Sequence, residues 1–319
     1  MDLVTAYADS GTNDAAIQLL TQMIRERSDS PVPHSGLATI YTRQRRFEDA
    51  ATELQEALRL NPRDDSTLAS YIKNLLLRSK FDDAMPFAQQ YQHHRPNDFE
   101  ALYLVGVVDR ELGHYSEAKM FLLRAAGVNP QHYATRYNLG LVHSLSGEPA
   151  AARTQLEKAI QPDPASAEAH FQLASVLRSL SLQDEARIQL TMYQNLMAER
   201  AEKDVATAKA NEAKESLSKG DAGKAVQLYQ EAIENDPKNS HLRYDLALAL
   251  DRKGDDRSEQ DALKTVLELD PRFAAAHNQL GFLLLQEGRA AEGEKEFRTA
   301  ISLSPHYAEA QNNLGVLYG

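Results

Sequence analysis

Apolar and small side chains return along this chain of 319 residues in register with its prolines. Pro62, Pro96, Pro130 and Pro164, and again Pro237, Pro271 and Pro305, stand 34 residues apart, with Pro31 ahead of them. In a frame that places these seven prolines at position 32, position 7 is large and apolar: Leu3, Leu37, Tyr71, Val105, Leu139, Leu173, Leu246, Leu280 and Leu314. Position 24 is large as well, at Leu20, Leu54, Leu122, Leu156, Leu190, Tyr229, Leu263 and Phe297. Position 20 is alanine at Ala16, Ala50, Ala84, Ala118, Ala152, Ala186 and Ala225. Position 8 is mostly small, as at Val4, Ala38, Gly106, Gly140, Ala174, Ala213, Ala247 and Gly281. Small residues set beside large ones are what two helices need to cross at close-packing distance. Glycine recurs at position 15, from Gly11 through Gly113, Gly147, Gly220 and Gly254 to Gly288, where a left-handed turn can join the two helices. The proline then stops the second helix. A 34-residue period with this content predicts stacked helix–turn–helix units, and no alternating run points to strands.

These columns resemble those of the tetratricopeptide-repeat family, and the likeness covers nearly the whole chain. The stretch from Ala274 to Gly319 fits the family pattern closely. The family tryptophan at position 4 is absent, since the chain has no Trp; His34, His170 and His277 stand there. The resemblance implies an all-α, right-handed superhelical solenoid of nine full or nearly full repeats and one truncated repeat.

The period breaks once. Pro164 and Pro237 are 73 residues apart, two periods and five residues more, and no Gly or Pro occurs from Ala165 to Lys219. Position 32 of the sixth repeat is Ala198, so its second helix has no proline stop, and the following Ala, Glu and Lys favour helix. The expected organisation is an N-terminal array over 1–198 and a C-terminal array over 199–319, joined by a long helix around 183–219. Leu196, Met197, Val205 and Leu217 are too widely spaced to sustain a coiled-coil seam, so a partly exposed bridge is favoured over a dimerising helix.

The two ends carry an expectation of their own. Met1 falls at position 5 of the first repeat and Gly319 at position 12 of the last, which suggests a fragment of a longer protein. Leu314, Val316, Leu317 and Tyr318 are then expected to contact another copy of the chain or to leave the last helix mobile.

A net charge of −11 with no basic stripe argues against nucleic acid and anionic membranes as partners. No apolar run has the length of a membrane span, and the absence of cysteine leaves the redox compartment open. Gly-rich phosphate loops, His-Glu-x-x-His and Gly-x-Ser-x-Gly are all missing, so no catalytic residue, metal ligand or cofactor is assigned. The ten histidines are read as solvated surface groups. Asp109 and His143 occupy position 11 of successive repeats, otherwise a packing column, and are expected to hydrogen-bond to each other.

What remains is the inner face. In the family, positions 2, 5, 6, 9, 12 and 13 of the first helix line a concave groove. Position 6 here reads Asn138, Gln172, Asn211, Asp245, Gln279 and Asn313, resembling the asparagine ladder of the repeat arm of O-linked N-acetylglucosamine transferase. A side-chain amide both donates and accepts, so it can pair with any peptide unit. Gly36, Ser70 and Leu104 break the ladder earlier, and the groove is expected to begin near the fifth repeat. Position 5 adds Tyr103, Tyr137, Phe171 and Tyr244, which serve either as anchors for a ligand or as packing for the next helix. The residues that a chaperone-tail clamp would need are not supplied by Ser35, Thr39, Ala69, Lys73, Asn278 or Phe282. The function expected is therefore a non-catalytic scaffold that binds a partner protein or extended peptide. The alternative is the substrate-recognition arm of a larger enzyme, such as a glycosyltransferase.

Overall fold

The computed structural model describes residues 13–318, which form 17 α-helices and no strand. Met1, Leu3, Val4, Gly11 and Gly319 lie outside the described residues. The helices are α1 (Asn13–Glu26), α2 (Pro31–Arg43), α3 (Phe47–Leu60), α4 (Asp65–Leu77), α5 (Phe81–His94), α6 (Phe99–Glu111), α7 (Tyr115–Val128), α8 (Tyr133–Leu145), α9 (Pro149–Ile160), α10 (Ala167–Ser179), α11 (Gln183–Ser218), α12 (Ala222–Asn235), α13 (Ser240–Lys253), α14 (Asp256–Leu269), α15 (Ala274–Gln286), α16 (Ala290–Leu303) and α17 (Ala308–Tyr318). They divide into two compact units between Gln194 and Asn195. Within each unit consecutive helices pack on one another, from α1 through α10 in the first and from α12 through α17 in the second.

The small columns sit at the crossings. Ala50, Ala84, Ala118, Ala152 and Ala225 are all fully buried. The notch at position 8 receives the knob at position 24: a β-carbon on Gly106, Gly140 or Gly281 would lie within 3 Å of Leu122, Leu156 or Phe297 respectively. The helix breaks fall before Pro62, Pro96, Pro130, Pro237, Pro271 and Pro305. Pro31 differs: it occupies the first turn of α2, where its missing N–H has no intrahelical partner to lose.

Two polar devices fix the first helices. Position 34 caps them, with Asp98, His132 and Ser166 accepting from the backbone N–H of Ala101 (3.0 Å), Thr135 (3.2 Å) and Ala169 (3.3 Å). Position 4 ties them down. His170 and His277 each place Nδ1 2.6 Å from the residue at position 23, Gln189 and Glu296, and Nε2 3.1 Å from a prolyl carbonyl, Pro164 and Pro271. Arg136 makes the same two contacts, donating to Gln155 at 3.0 Å and to the Pro130 carbonyl at 2.9 Å. These histidines are therefore not solvated surface groups. His34 and His170 are buried, because the space left by the family tryptophan at position 4 is filled by a polar bridge; His143, at position 11, is buried as well.

Helix α11 is unbroken over 36 residues. Its packing face in the second unit is built from Ala206, Ala210 and Ala213, which join the core of α12 and α13, while Met197 and Val205 are exposed. Alanine allows close helix approach where a larger residue would hold the axes apart.

Candidate functional site

The candidate residues lie on the first helices, and each unit presents its own set. In the first unit Asn138 is buried and its amide is already committed. Nδ2 donates to the Ala134 carbonyl at 2.7 Å and to the Tyr103 hydroxyl at 3.4 Å, leaving Oδ1 as the remaining hydrogen-bonding atom. Tyr103 is half-buried, stacked on Phe99 with centroids 6.1 Å apart, and edge-on to His132. Tyr137 stacks on Tyr133 at 5.8 Å. Burial raises both hydroxyls above the usual tyrosine range, so both rings are neutral. Phe171 is different: it is 44% exposed and touches Tyr193 at 5.2 Å. Gln172 beside it is half-buried.

The second unit carries the other half of the set. Asn211 is exposed. Asp245 lies 3.4 Å from Lys214 Nζ, so this carboxylate is part of an ion pair between α11 and α13. Tyr244 packs on Phe273 at 5.0 Å, and burial pushes its hydroxyl up to about 12. Gln279 Nε2 donates to Glu259 Oε1 at 2.8 Å, and Asn313 Nδ2 donates to Asn278 Oδ1 at 3.0 Å. Asn278, Gln279, Phe282, Glu309, Asn312 and Asn313 line an open groove of about 300 Å³ between α15 and α17.

A rule joins the two units. Asn138 to Tyr103 and Asn313 to Asn278 are both contacts from position 6 of one repeat to position 5 of the repeat before, 35 residues earlier. The amides thus sit in one inter-repeat geometry. Their free atoms differ.

Asp109 and His143 do not meet. Asp109 Oδ1 lies 3.3 Å from His114 Nδ1, and His143 Nδ1 lies 2.5 Å from Glu148 Oε2. Each reaches position 16 of its own repeat, five residues on, because the turn brings that side chain closer than the neighbouring repeat does. Burial raises the Asp109 carboxyl, partly offset by His114.

A second groove, of about 310 Å³, lies between α2 and α4, where the ladder is absent. It is lined by Ser35, Thr39, Thr42, Ser66, Ser70 and Lys73 among others. The signal was available: hydroxyl residues occupy positions 5, 9 and 12 of the second repeat. Weighing Ser35, Thr39 and Lys73 only against a chaperone-tail clamp passes over them as the lining of a groove. Glu259 was also missed, though it is the one charged side chain among Ala225, Glu259 and Gly293 at position 20.

Among the described residues no group of three or more His, Cys, Asp or Glu side chains is placed to hold a metal ion, and no helix is long and apolar enough to cross a membrane.

Family comparison places two descriptions, both tetratricopeptide repeat, on this chain: one matches residues 7–71 and 216–278, the other 106–167, 137–194 and 260–308. The TPR repeat-containing protein MJ1428 of Methanocaldococcus jannaschii is 20% identical over 161 residues, which is 50% of this chain and 28% of that protein. The chain therefore spans under a third of that relative's length. Among solved structures, the MamA RS-1 ArsTM double mutant is 21% identical with a TM-score of 0.48, covering 52% of this chain and 94% of its own. YrrB, described as a TPR protein with an unusual peptide-binding site, is 18% identical with a TM-score of 0.46, covering 56% of this chain and 91% of its own.

Proposed function

Because the chain belongs to the tetratricopeptide-repeat family, whose stacked helix pairs are protein-interaction scaffolds and typically non-catalytic, we propose that it binds an extended segment of a partner protein along its first helices. In the first unit Tyr103, Tyr137, Asn138, Phe171 and Gln172 form the candidate surface. In the second it is Asn211, Tyr244, Asp245, Gln279 and Asn313. The observation that carries this reading is the groove between α15 and α17, where four side-chain amides (Asn278, Gln279, Asn312 and Asn313) converge beside Phe282. Amides in a row can bond successive peptide units whatever their side chains, and the phenylalanine supplies apolar contact.

The test is selection of a phage-displayed library of unstructured peptides on the intact chain, with calorimetry of the recovered sequence. Each amide bond is worth ~0.5–1.5 kcal/mol net, so Gln279→Ala, Asn312→Ala and Asn313→Ala together should weaken binding at least tenfold. A peptide indifferent to the triple change would place the site elsewhere, with the α2/α4 groove next to be tried.

A further inference from the structure

Position 20 is where first and second helices cross, and it is alanine in seven repeats and glycine at Gly293. In the eighth repeat it is Glu259, on α14, only 1% exposed. A carboxyl group at a helix crossing costs desolvation unless its oxygens are paired. Oε1 accepts from Gln279 Nε2 at 2.8 Å, but Oε2 is buried with no hydrogen-bond partner among the described residues. Gln279, on α15, is at once this carboxyl's partner and a lining residue of the amide groove.

We propose that Glu259 is a positioning residue for Gln279, and that its charge decides which atoms of that amide face the groove. The inference rests on the groove reading above. An ionised carboxylate only accepts, so it holds the amide with an N–H turned inward, leaving the carbonyl oxygen and the second N–H for a ligand. A protonated carboxyl gains an O–H that needs an acceptor. The amide in contact with it can accept only through its carbonyl, so that oxygen is drawn inward and the groove is left with donors alone. One proton thereby changes the rung from donor-and-acceptor to donor.

The surroundings favour a switch at physiological acidity. Gln279 from α15 is the hydrogen-bond partner of Glu259. The charges of Asp251 on α13 and Asp256 on its own helix act on it, Tyr244 of α13 feels its charge in turn, and none of these groups is cationic. Burial chiefly, with Asp251 and Asp256 adding to it against the Gln279 hydrogen bond, pushes the carboxyl up to about 7.

The experiment is NMR on the full chain, following the Glu259 carboxyl carbon, identified by its loss in E259Q, and the Gln279 side-chain amide, identified by its loss in Q279L. The carboxyl should titrate well above the ordinary carboxylate range. The Gln279 amide resonances should move with the same midpoint in the wild type and stay fixed in E259A, which restores the alanine of the column. For the phage-selected peptide, affinity should change roughly two- to tenfold across that midpoint, the worth of one amide hydrogen bond, and the change should vanish in E259A. A Glu259 midpoint in the ordinary range, or Gln279 resonances indifferent to it, would overturn the proposal. Resonances that follow the midpoint in a chain that binds no peptide would uphold the positioning role and sink the groove reading instead.

Discussion

Gly140 and Leu156 interlock where α8 crosses α9: a β-carbon on the glycine would lie 2.6 Å from Leu156 Cγ and 2.8 Å from Cδ2. Both are core positions, so neither can yield without moving a helix axis. Gly140→Ala should therefore cost ~1–3 kcal/mol of stability. Placing the same change in a Leu156→Ala background should cost less, since the knob is gone, and a double-mutant cycle reads that coupling directly. Gly127, near the end of α7, is the control. A β-carbon there meets nothing within 4 Å, and Gly127→Ala should gain about 0.5–1 kcal/mol. If Gly140→Ala melts like the parent, the knob-and-notch account of the repeat is wrong.

The turn at position 15 allows a second comparison. Gly147 takes φ 74° there, and three repeats put other residues in the same left-handed region: Arg45 at φ 59°, Ser79 at 55° and Ser181 at 63°. Side chains in that region cost roughly 1–2 kcal/mol, less what glycine loses in the unfolded chain. Ser79→Gly and Ser181→Gly should each stabilise by about 1 kcal/mol in urea unfolding, and Gly147→Ala should destabilise by a similar amount. Unchanged midpoints would mean these turns relieve the strain by another route.

How much of this was legible in the residues alone depends on what holds each part together. Columns such as Ala118 with Leu122, or Gly281 with Phe297, repeat because every crossing imposes the same steric demand, and periodicity exposes it. The polar contacts repeat in geometry rather than in residue type, and a column alone does not name the partner. Asp109 and His143 share a column, yet each turns to its own repeat, because a rotamer and a five-residue turn decide the partner. The bridge at position 4 was hidden for another reason. Histidine, arginine and glutamine reach the same prolyl carbonyl there, at His277, Arg136 and Gln311, so the shared geometry is written in three different residue types. Glu259 is visible only as a break in an alanine column, and its partner Gln279 lies one repeat on.

The aromatic residues at position 5 should separate by experiment. Tyr137 is half-buried against Tyr133 and packs on the α9–α10 core, so Tyr137→Ala should cost ~1–3 kcal/mol of stability. Phe171 is 44% exposed, and Phe171→Ala should change stability by less than about 0.5 kcal/mol. If Phe171 anchors a ligand, the same substitution should weaken binding of a selected peptide by over 1 kcal/mol. Loss of stability without loss of binding would make Phe171 a packing residue.

Glu259 predicts a pH dependence whose sign is fixed. The folded carboxyl is raised from 4.5 to about 7, so between those values the native chain holds a proton that the unfolded chain has released. Stability therefore falls as pH rises through this window. Below pH 4.5 both states are protonated and the penalty is absent; above about 7 both are ionised and it is complete. A shift of this size corresponds to about 3 kcal/mol. Glu259→Gln removes the charge while keeping the shape and should be free of the penalty. Compared with the wild type in urea unfolding followed by circular dichroism, it should be about 3 kcal/mol more stable at pH 8, about 1 kcal/mol more stable at pH 5 and nearly equal below pH 4. Taking the difference between the two chains cancels every other titrating group. Parallel profiles across pH 5 to 8 would show that Glu259 ionises as freely in the folded chain as in the unfolded one, with Oε2 paired after all.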